Sequence, residues 1–171
     1  MAHQVPIIMG SRSDEKVMKE SGMLEILQKC KVTYEVSVIS AHRHAARLAE
    51  YCVRKEAEGA EAFICMASMS ALLPGAVASK VRGLTVIGVA LVAGELDGLD
   101  ALLTITRNPK GVPVAYAGMG KAGLANAALL AIQIVAKVDP EVRLAYKRYL
   151  RESLEETPAE IGIFSFEGEE E

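Results

Sequence analysis

The residues of this chain best suited to chemistry are Ser40-Ala41-His42-Arg43, which follow a β-branched run at 32–39. Imidazole takes up and releases a proton near neutral pH, and guanidinium binds a phosphate or carboxylate through two parallel hydrogen bonds. Because a segment with helical spacing follows, we expect these residues on a loop at the carboxyl end of a buried strand, where open α/β sheets bind ligands. The alternative is that His42 and Arg43 only end the strand and solvate the start of the helix.

A second candidate is the polar turn from Gly10 to Asp14, which follows an apolar run at 5–9 and precedes a helical pattern. Strand, glycine-containing turn and helix is the arrangement that directs free backbone N–H groups at an anion. Asp14 stands where it could cap the helix, bind a ligand or do both. Ser11 and Ser13 have no predicted capping role, which leaves them open to ligand binding.

The elements that position these two loops can be predicted from the rest of the chain. Five apolar segments alternate with segments of helical periodicity. The alternation predicts a single three-layer α/β domain with a parallel sheet and right-handed crossovers. The expected strand order is 2-1-3-4-5, with the fifth strand weakened by Pro113 and therefore at an edge. The predicted strands cover 5–9, 32–39, 62–66, 84–90 and 111–116.

The end of the chain carries an amphipathic helix that begins at Pro140 and continues to about Glu156. Both faces of the predicted sheet are already covered by other helices, so this helix is expected to pack on a neighbouring subunit. The single domain is predicted to span 1–158, and the acidic segment 159–171 is predicted to be a mobile tail.

The composition of the chain bears on whether it binds nucleic acid, metal or membrane. The chain has 171 residues and a net charge of −3, which gives no electrostatic reason to expect a nucleic-acid partner. Cys30, Cys52 and Cys65 lack metal-ligand spacing, so buried thiols and no metal site are predicted. No secretory pattern is seen, and the apolar runs are shorter than the roughly 18 residues of a membrane span. A cytoplasmic protein without a membrane partner is the expectation.

Several motifs in the same order and spacing resemble the N5-carboxyaminoimidazole ribonucleotide mutase family, known as PurE. The likeness covers about residues 5–150. Each motif is weak by itself, and their combination is a specific signal. The motifs are Gly10-Ser-x-Ser-Asp14, Ser40-Ala-His-Arg43, Leu73-Pro-Gly75, Asp97-Gly-Leu-Asp100, Gly111-Val-Pro-Val114 and the small-residue segment 120–131.

The resemblance implies a flavodoxin-like fold, an octamer with active sites between subunits, and no metal or organic cofactor. It implies an enzyme of purine biosynthesis that moves a carboxylate from the exocyclic nitrogen of an aminoimidazole ribonucleotide to ring carbon C4. His42 would be the catalytic acid and base, Arg43 would bind the phosphate, and Ser11 and Asp14 would contact the ribonucleotide. Further candidate substrate contacts are Ser13, Ser40, Ala67, Ser68 and Leu73.

The segment after the third strand departs from the family pattern, which has a glycine-rich turn followed by histidine. Met66, Ser68 and Met69 stand at the glycine positions and Leu72 stands at the histidine position. These apolar residues either fill a core or subunit contact or reshape the substrate pocket. Two alternatives to the mutase therefore remain open, a carboxylase that uses carbon dioxide directly and a scaffold relative that acts through assembly without turnover.

Overall fold

A five-stranded parallel sheet forms the centre of the protein, which we describe from a computed structural model over residues 4–155. The strand order is β2-β1-β3-β4-β5, so the predicted order and parallel direction are confirmed. The chain changes direction across the sheet between β1 and β3, which are adjacent. The strands are β1 Val5–Met9, β2 Tyr34–Val38, β3 Ala62–Ala67, β4 Thr85–Ala90 and β5 Ala115–Met119.

Helices cover both faces of this sheet and give the three layers expected from the sequence. Their side chains form two buried clusters, one under α1, α2 and α6 and the other under α3, α4 and α5. A short 3-10 turn, Arg12–Asp14, precedes the first helix. The helices are α1 Glu15–Glu20, α2 Met23–Lys29, α3 Ala45–Ala57, α4 Leu73–Ala78, α5 Leu99–Thr106, α6 Gly120–Val138 and α7 Pro140–Glu155.

The central strands carry apolar residues without alternation because both faces are buried. Along β3, Ile64 and Met66 point to one cluster while Phe63 and Cys65 point to the other. Helix α6 has the length and hydropathy of a membrane span, but its alanine-rich face packs on the sheet as a core helix. A Cβ on Gly123 would clash with the backbone carbonyl of Gly118, so the helix approaches β5 closely only because Gly123 has no side chain.

Among the boundaries that differ from the sequence prediction, three have a backbone cause. The first helix is divided into α1 and α2 at Gly22, which has φ +74°. A helix that the apolar spacing predicts over 94–106 begins only at Leu99, after positive φ values of 47° at Asp97 and 82° at Gly98. Strand β5 begins at Ala115 rather than at 111, since Pro113 has no N–H to contribute to a ladder.

Helix α7 packs antiparallel on α6. Arg143 Nε donates to the carbonyl of Ala136 over 2.7 Å, and Gln133 Nε2 donates to the hydroxyl of Tyr146 over 3.0 Å. Val142 is fully buried in this contact, so the helix has a place within its own chain, although not directly on the sheet. Packing on a neighbouring subunit stays a prediction. The predicted acidic tail at 159–171 lies outside the described residues.

Candidate active site

The loops after β1, β2 and β3 meet at the carboxyl edge of the sheet. This follows from the strand order, because Met9 at the end of β1 pairs with both Val38 and Met66. Backbone hydrogen bonds from Ile39 to Met9 (3.0 Å) and from Gly10 to Met66 (3.2 Å) join the three loops at their bases. Between them lies a cavity of about 530 Å³, a volume typical of sites for small organic ligands.

The cavity brings together all but one of the predicted site residues. The exception is Ser13, which lines a neighbouring cleft beside Lys16 and Val92 and supports Ser11 and Asp14 through its hydroxyl. The predicted residues on the cavity wall are Ser11, Asp14, Ser40, His42, Arg43, Ala67, Ser68 and Leu73.

Sequence reasoning did not assign several further wall residues to the site. His44 is one of them: it is the N-cap residue of α3 and lies exposed on the wall. The only available signal was adjacency in sequence to predicted site residues. The additional wall residues are Gly10, Arg12, Val38, Ala41, His44, Met69, Ala71 and Leu72.

The turn after β1 is closed by a reciprocal pair of capping hydrogen bonds. Ser11 Oγ accepts from the N–H of Ser13 and Asp14 Oδ2 accepts from the N–H of Ser11, each over 3.2 Å. Ser11 is therefore a cap, contrary to the prediction, and Asp14 makes no side-chain bond to the amides of α1. Because these amides are already bonded within the turn, it offers fewer free N–H groups than the glycine-containing pattern predicts.

Asp14 is the one buried acid of the site, with both carboxylate oxygens hydrogen-bonded. Oδ2 accepts from Ser11 N–H, and Oδ1 accepts from Ser13 Oγ over 3.3 Å. Burial raises the pKa of the Asp14 carboxyl above its ordinary value, and the hydrogen bonds from Ser11 and Ser13 oppose this rise. The carboxylate is thus held in a fixed orientation at the polar end of the cavity.

The turn after β2 displays two cationic or basic side chains. Ser40 Oγ accepts from the N–H of Arg43 over 3.3 Å, and Ser40 O accepts from the N–H of His44 over 2.9 Å. The backbone is fixed by these bonds while the side chains of His42 and Arg43 stay exposed. Within residues 4–155 Arg43 has no carboxylate partner, so its guanidinium is available to an anionic ligand.

The loop after β3 supplies an apolar wall opposite these polar groups. Met66 is fully buried in the sheet, so at that position the apolar replacement fills the core. Met69 and Leu72 instead expose 65% and 46% of their surface and line the cavity. Core filling thus accounts for Met66. Met69 and Leu72 line the cavity, and a subunit contact or a reshaped substrate pocket at these two positions stays a prediction.

The three cysteines do not line the cavity. Cys30, Cys52 and Cys65 are buried thiols, and burial raises the pKa of Cys30 and of Cys52 to about 11. Among the described residues 4–155, no group of three or more His, Cys, Asp or Glu side chains is arranged to hold a metal ion. The polar side chains on the cavity wall are Ser11, Arg12, Asp14, Ser40, His42, Arg43, His44 and Ser68.

The fold and the cavity define a class, the flavodoxin-like α/β proteins with a ligand site where the strand order reverses. A model of the AIR carboxylase family matches residues 4–156, and the chain belongs to that family. The resemblance noted from the motifs is confirmed.

Relatives that are named as mutases align with most of the chain. The N5-carboxyaminoimidazole ribonucleotide mutase of Pyrococcus abyssi is 44% identical over 146 residues, 85% of this chain and 81% of the relative. The mutase of Pseudomonas aeruginosa is 40% identical over 149 residues, covering 87% and 90%. The crystal structure of Treponema denticola PurE superposes with a TM-score of 0.77 at 27% identity, covering 89% of this chain and 92% of that one.

Proposed function

We propose that this protein is an N5-carboxyaminoimidazole ribonucleotide mutase of purine biosynthesis. The observation that carries the proposal is the convergence of three loops on one cavity, with Asp14, His42 and Arg43 on its polar side. Family membership and mutase relatives at 40–44% identity support it. A small nucleotide is the substrate class, and we further propose an octameric, cytoplasmic enzyme like those the resemblance implies.

The substrate is anchored by its charged and hydroxylated parts. The exposed guanidinium of Arg43 binds the phosphate, since it has no carboxylate partner within the described residues and presents paired N–H donors. Ser11 and Asp14 bind ribose hydroxyls, Ser11 from the exposed side of the turn and Asp14 from its buried side. Ser13 orients these two residues from the neighbouring cleft, and Ser40 fixes the turn that carries His42.

The ring of the substrate lies against the third loop in this arrangement. Ala67, Ser68 and Leu73 all line that side of the cavity, opposite the turn that carries His42. Small and apolar side chains allow a flat heterocycle to approach the wall. The exocyclic nitrogen and C4 are then directed toward the imidazole.

The reaction requires a balanced movement of one proton. The N5–carboxyl bond breaks, its electron pair stays on N5, N5 takes a proton from His42, and carbon dioxide is released. The ring carbon C4 then forms a bond to carbon dioxide, which becomes a carboxylate. Loss of the C4 proton to His42 restores the aromatic ring. One imidazole therefore gives and regains a single proton, the task for which histidine is suited near neutral pH.

Turnover measurements test the proposal. Wild-type protein is expected to convert N5-carboxyaminoimidazole ribonucleotide to the C4-carboxylated isomer, and His42→Asn is expected to lower kcat by roughly 100-fold or more because the proton carrier is lost. Arg43→Lys is expected to raise KM about tenfold with kcat less affected, because a point charge replaces a bidentate donor. Binding without any wild-type turnover would contradict the proposal and support a non-catalytic scaffold.

The same assay separates the carboxylase alternative. With aminoimidazole ribonucleotide and bicarbonate as substrates, a mutase is expected to turn over far more slowly than with the carbamate at matched nucleotide concentration. Faster turnover with bicarbonate would identify direct carboxylation by carbon dioxide as the activity.

A further inference from the structure

Strand β2 leads into the turn that carries His42 and Arg43, and it is an edge strand of the sheet. Among the described residues it pairs only with β1. All five residues of β1 are buried, whereas the five residues of β2 are partly buried or exposed. Core packing and backbone hydrogen bonds therefore fix β2 less firmly than the central strands, which leaves a larger part to contacts of its side chains.

Helix α3 packs its apolar residues on the centre of the sheet and not on β2. Leu48 and Cys52 are buried in the same cluster as Ile8 of β1 and Phe63 of β3. Within residues 4–155, no side chain of β2 belongs to that cluster. A separate cavity of about 420 Å³ is lined by the side of β2 that faces α3 and by the helix itself. The edge strand and the helix are therefore not joined by an apolar core.

Three polar side chains make the connection instead, and we call them the Glu35 cluster: Glu35 on β2, and Tyr51 and Lys55 on α3. Tyr51 Oη donates to Glu35 Oε1 over 2.9 Å, and Lys55 Nζ donates to Glu35 Oε2 over 2.8 Å. The two donors lie one turn apart on the helix and are buried, with 6% of Tyr51 and 2% of Lys55 exposed. Each oxygen of one carboxylate on the strand thus receives a hydrogen bond from the helix.

The Glu35 cluster fixes how β2 lies against α3. Neighbouring residues of a strand point to opposite faces, so a shift of β2 by one residue would turn Glu35 away from the helix. Lys55 would then keep only its bond to Glu58. A buried cation that loses a partner is costly, and hydrogen bonds are directional where apolar contacts are not, so one position of the strand is favoured.

The turn between β2 and α3 takes its position from these two elements. Residues 39–44 join the end of the strand directly to the start of the helix. Hydrogen bonds to Ser40 hold the turn internally, so it moves together with the elements on either side. Glu35 is roughly 10 Å from the turn along the strand, and Tyr51 is roughly 9 Å from it along the helix. A change in how β2 lies on α3 therefore displaces His42 relative to the other two loops.

We propose that Tyr51 and Lys55, acting through Glu35, are positioning residues that hold His42 where proton transfer to and from the substrate is possible. This inference rests on the proposed mutase function. None of the three residues lines the substrate cavity, so they act on the proton carrier and not on the ligand. Proton transfer is sensitive to a misplacement of about 1 Å, whereas the long side chain of Arg43 can follow the phosphate. The cluster therefore affects kcat more than KM.

Turnover of N5-carboxyaminoimidazole ribonucleotide by the full-length protein tests the cluster. Tyr51→Phe keeps the ring and removes one donor to Glu35, and it is expected to lower kcat about threefold to fivefold with KM within about twofold of wild type. Lys55→Met removes the other donor and is expected to lower kcat roughly tenfold or more. Circular dichroism at the assay temperature checks that each variant is folded, so that a lower kcat does not reflect a smaller folded fraction.

Tyr146→Phe is the matched control, because it removes a tyrosine hydroxyl that is hydrogen-bonded far from the turn. On α7 that hydroxyl accepts from Gln133 Nε2 over 3.0 Å, and it does not line the cavity. Its kcat is expected to equal that of wild type. A double-mutant cycle with His42→Asn tests whether the cluster acts through the imidazole. In that background Tyr51→Phe is expected to change the residual rate by less than about 1.5-fold.

The outcomes separate the positioning role from the enzyme that it serves. Wild-type kcat in Tyr51→Phe and Lys55→Met, or a change that falls on KM alone, would overturn the positioning role and leave the mutase function intact. The same fold-change with and without His42 would also overturn it, because the cluster would then act on another group. Absence of any carboxylated product from wild type would overturn the proposed function and this inference with it.

Discussion

The carboxylate of Asp14 accepts hydrogen bonds within the turn after β1, and we propose that it also binds the nucleotide in the cavity; substitution can separate the two roles. Asp14→Ala removes the acceptors of Ser11 N–H and Ser13 Oγ, which lie 3.2 Å and 3.3 Å from the carboxylate. Two such bonds are worth about 1–3 kcal/mol in total, so the free energy of unfolding at pH 7 is expected to fall by that amount. Urea denaturation measures it.

Asp14→Asn is the matched variant, because it keeps an oxygen for Ser11 N–H and removes the charge. Since the pKa of Asp14 is raised by burial in the folded chain, its ionised form costs folding free energy at neutral pH. That cost is relieved as the pH falls from the folded pKa to the ordinary value of 3.8. Asp14→Asn is therefore expected to be as stable as wild type at pH 7 or more stable, and to lose this advantage in acid.

Although Asp14→Asn is expected to keep or raise stability at pH 7, it is expected to lower the affinity for the nucleotide. Asn offers the ribose hydroxyls a weaker, uncharged acceptor, and a charge-assisted bond is worth about 1.5–3 kcal/mol, so the dissociation constant is expected to rise at least roughly tenfold. Calorimetric titration with aminoimidazole ribonucleotide provides the measurement. Equal destabilisation by Asn and Ala, together with unchanged affinity in both, would refute the reasoning and leave Asp14 only a structural cap.

Two further predictions concern groups that hold the scaffold. Lys55 is 2% exposed and donates to Glu35 and Glu58 at 2.8 Å. Lys55→Met removes the cation that these two carboxylates share, although Glu58 keeps its ion pair with Arg54, so the free energy of unfolding is expected to fall by about 1–3 kcal/mol in urea titration; no change would contradict the pairing. At the start of α7, the N–H of Val142 lowers the pKa of Asp139, so its stabilisation is present above pH 3.8 and is lost as the pH falls through the lower folded pKa. Asp139→Asn is accordingly expected to lower Tm at pH 7 and to have little effect near pH 2; an equal loss at both would argue against the charge.

The sheet could be predicted from the sequence because its signals are local and repeated. Non-alternating apolar runs marked the buried strands, and short connections between strand and helix fixed their parallel order. The break between α1 and α2 at Gly22 could not be predicted in this way, because a glycine within a helical pattern is compatible with either a continuous or a broken helix. At β5, the apolar residues before Ala115 looked like strand although Pro113 could not take part in the ladder.

The sequence predicted which loops form the candidate site, but it predicted few of the contacts that individual side chains make there. His42 and Arg43 follow a recognisable strand and face the cavity as expected. Ser11 was missed as a cap because a 3-10 turn precedes the helix, a length that no periodicity reveals. Met69 and Leu72 could not be placed, because an apolar residue on a loop packs inward or lines a pocket according to tertiary contacts that the sequence pattern does not encode.

The most direct test of the central claim is a crystal structure of the protein with 4-carboxy-5-aminoimidazole ribonucleotide bound. The phosphate is expected on Arg43 and the ribose hydroxyls on Ser11 and Asp14, with C4 facing His42 within reach of proton transfer. A nucleotide bound at another surface, or bound with its ring directed away from His42, would contradict it.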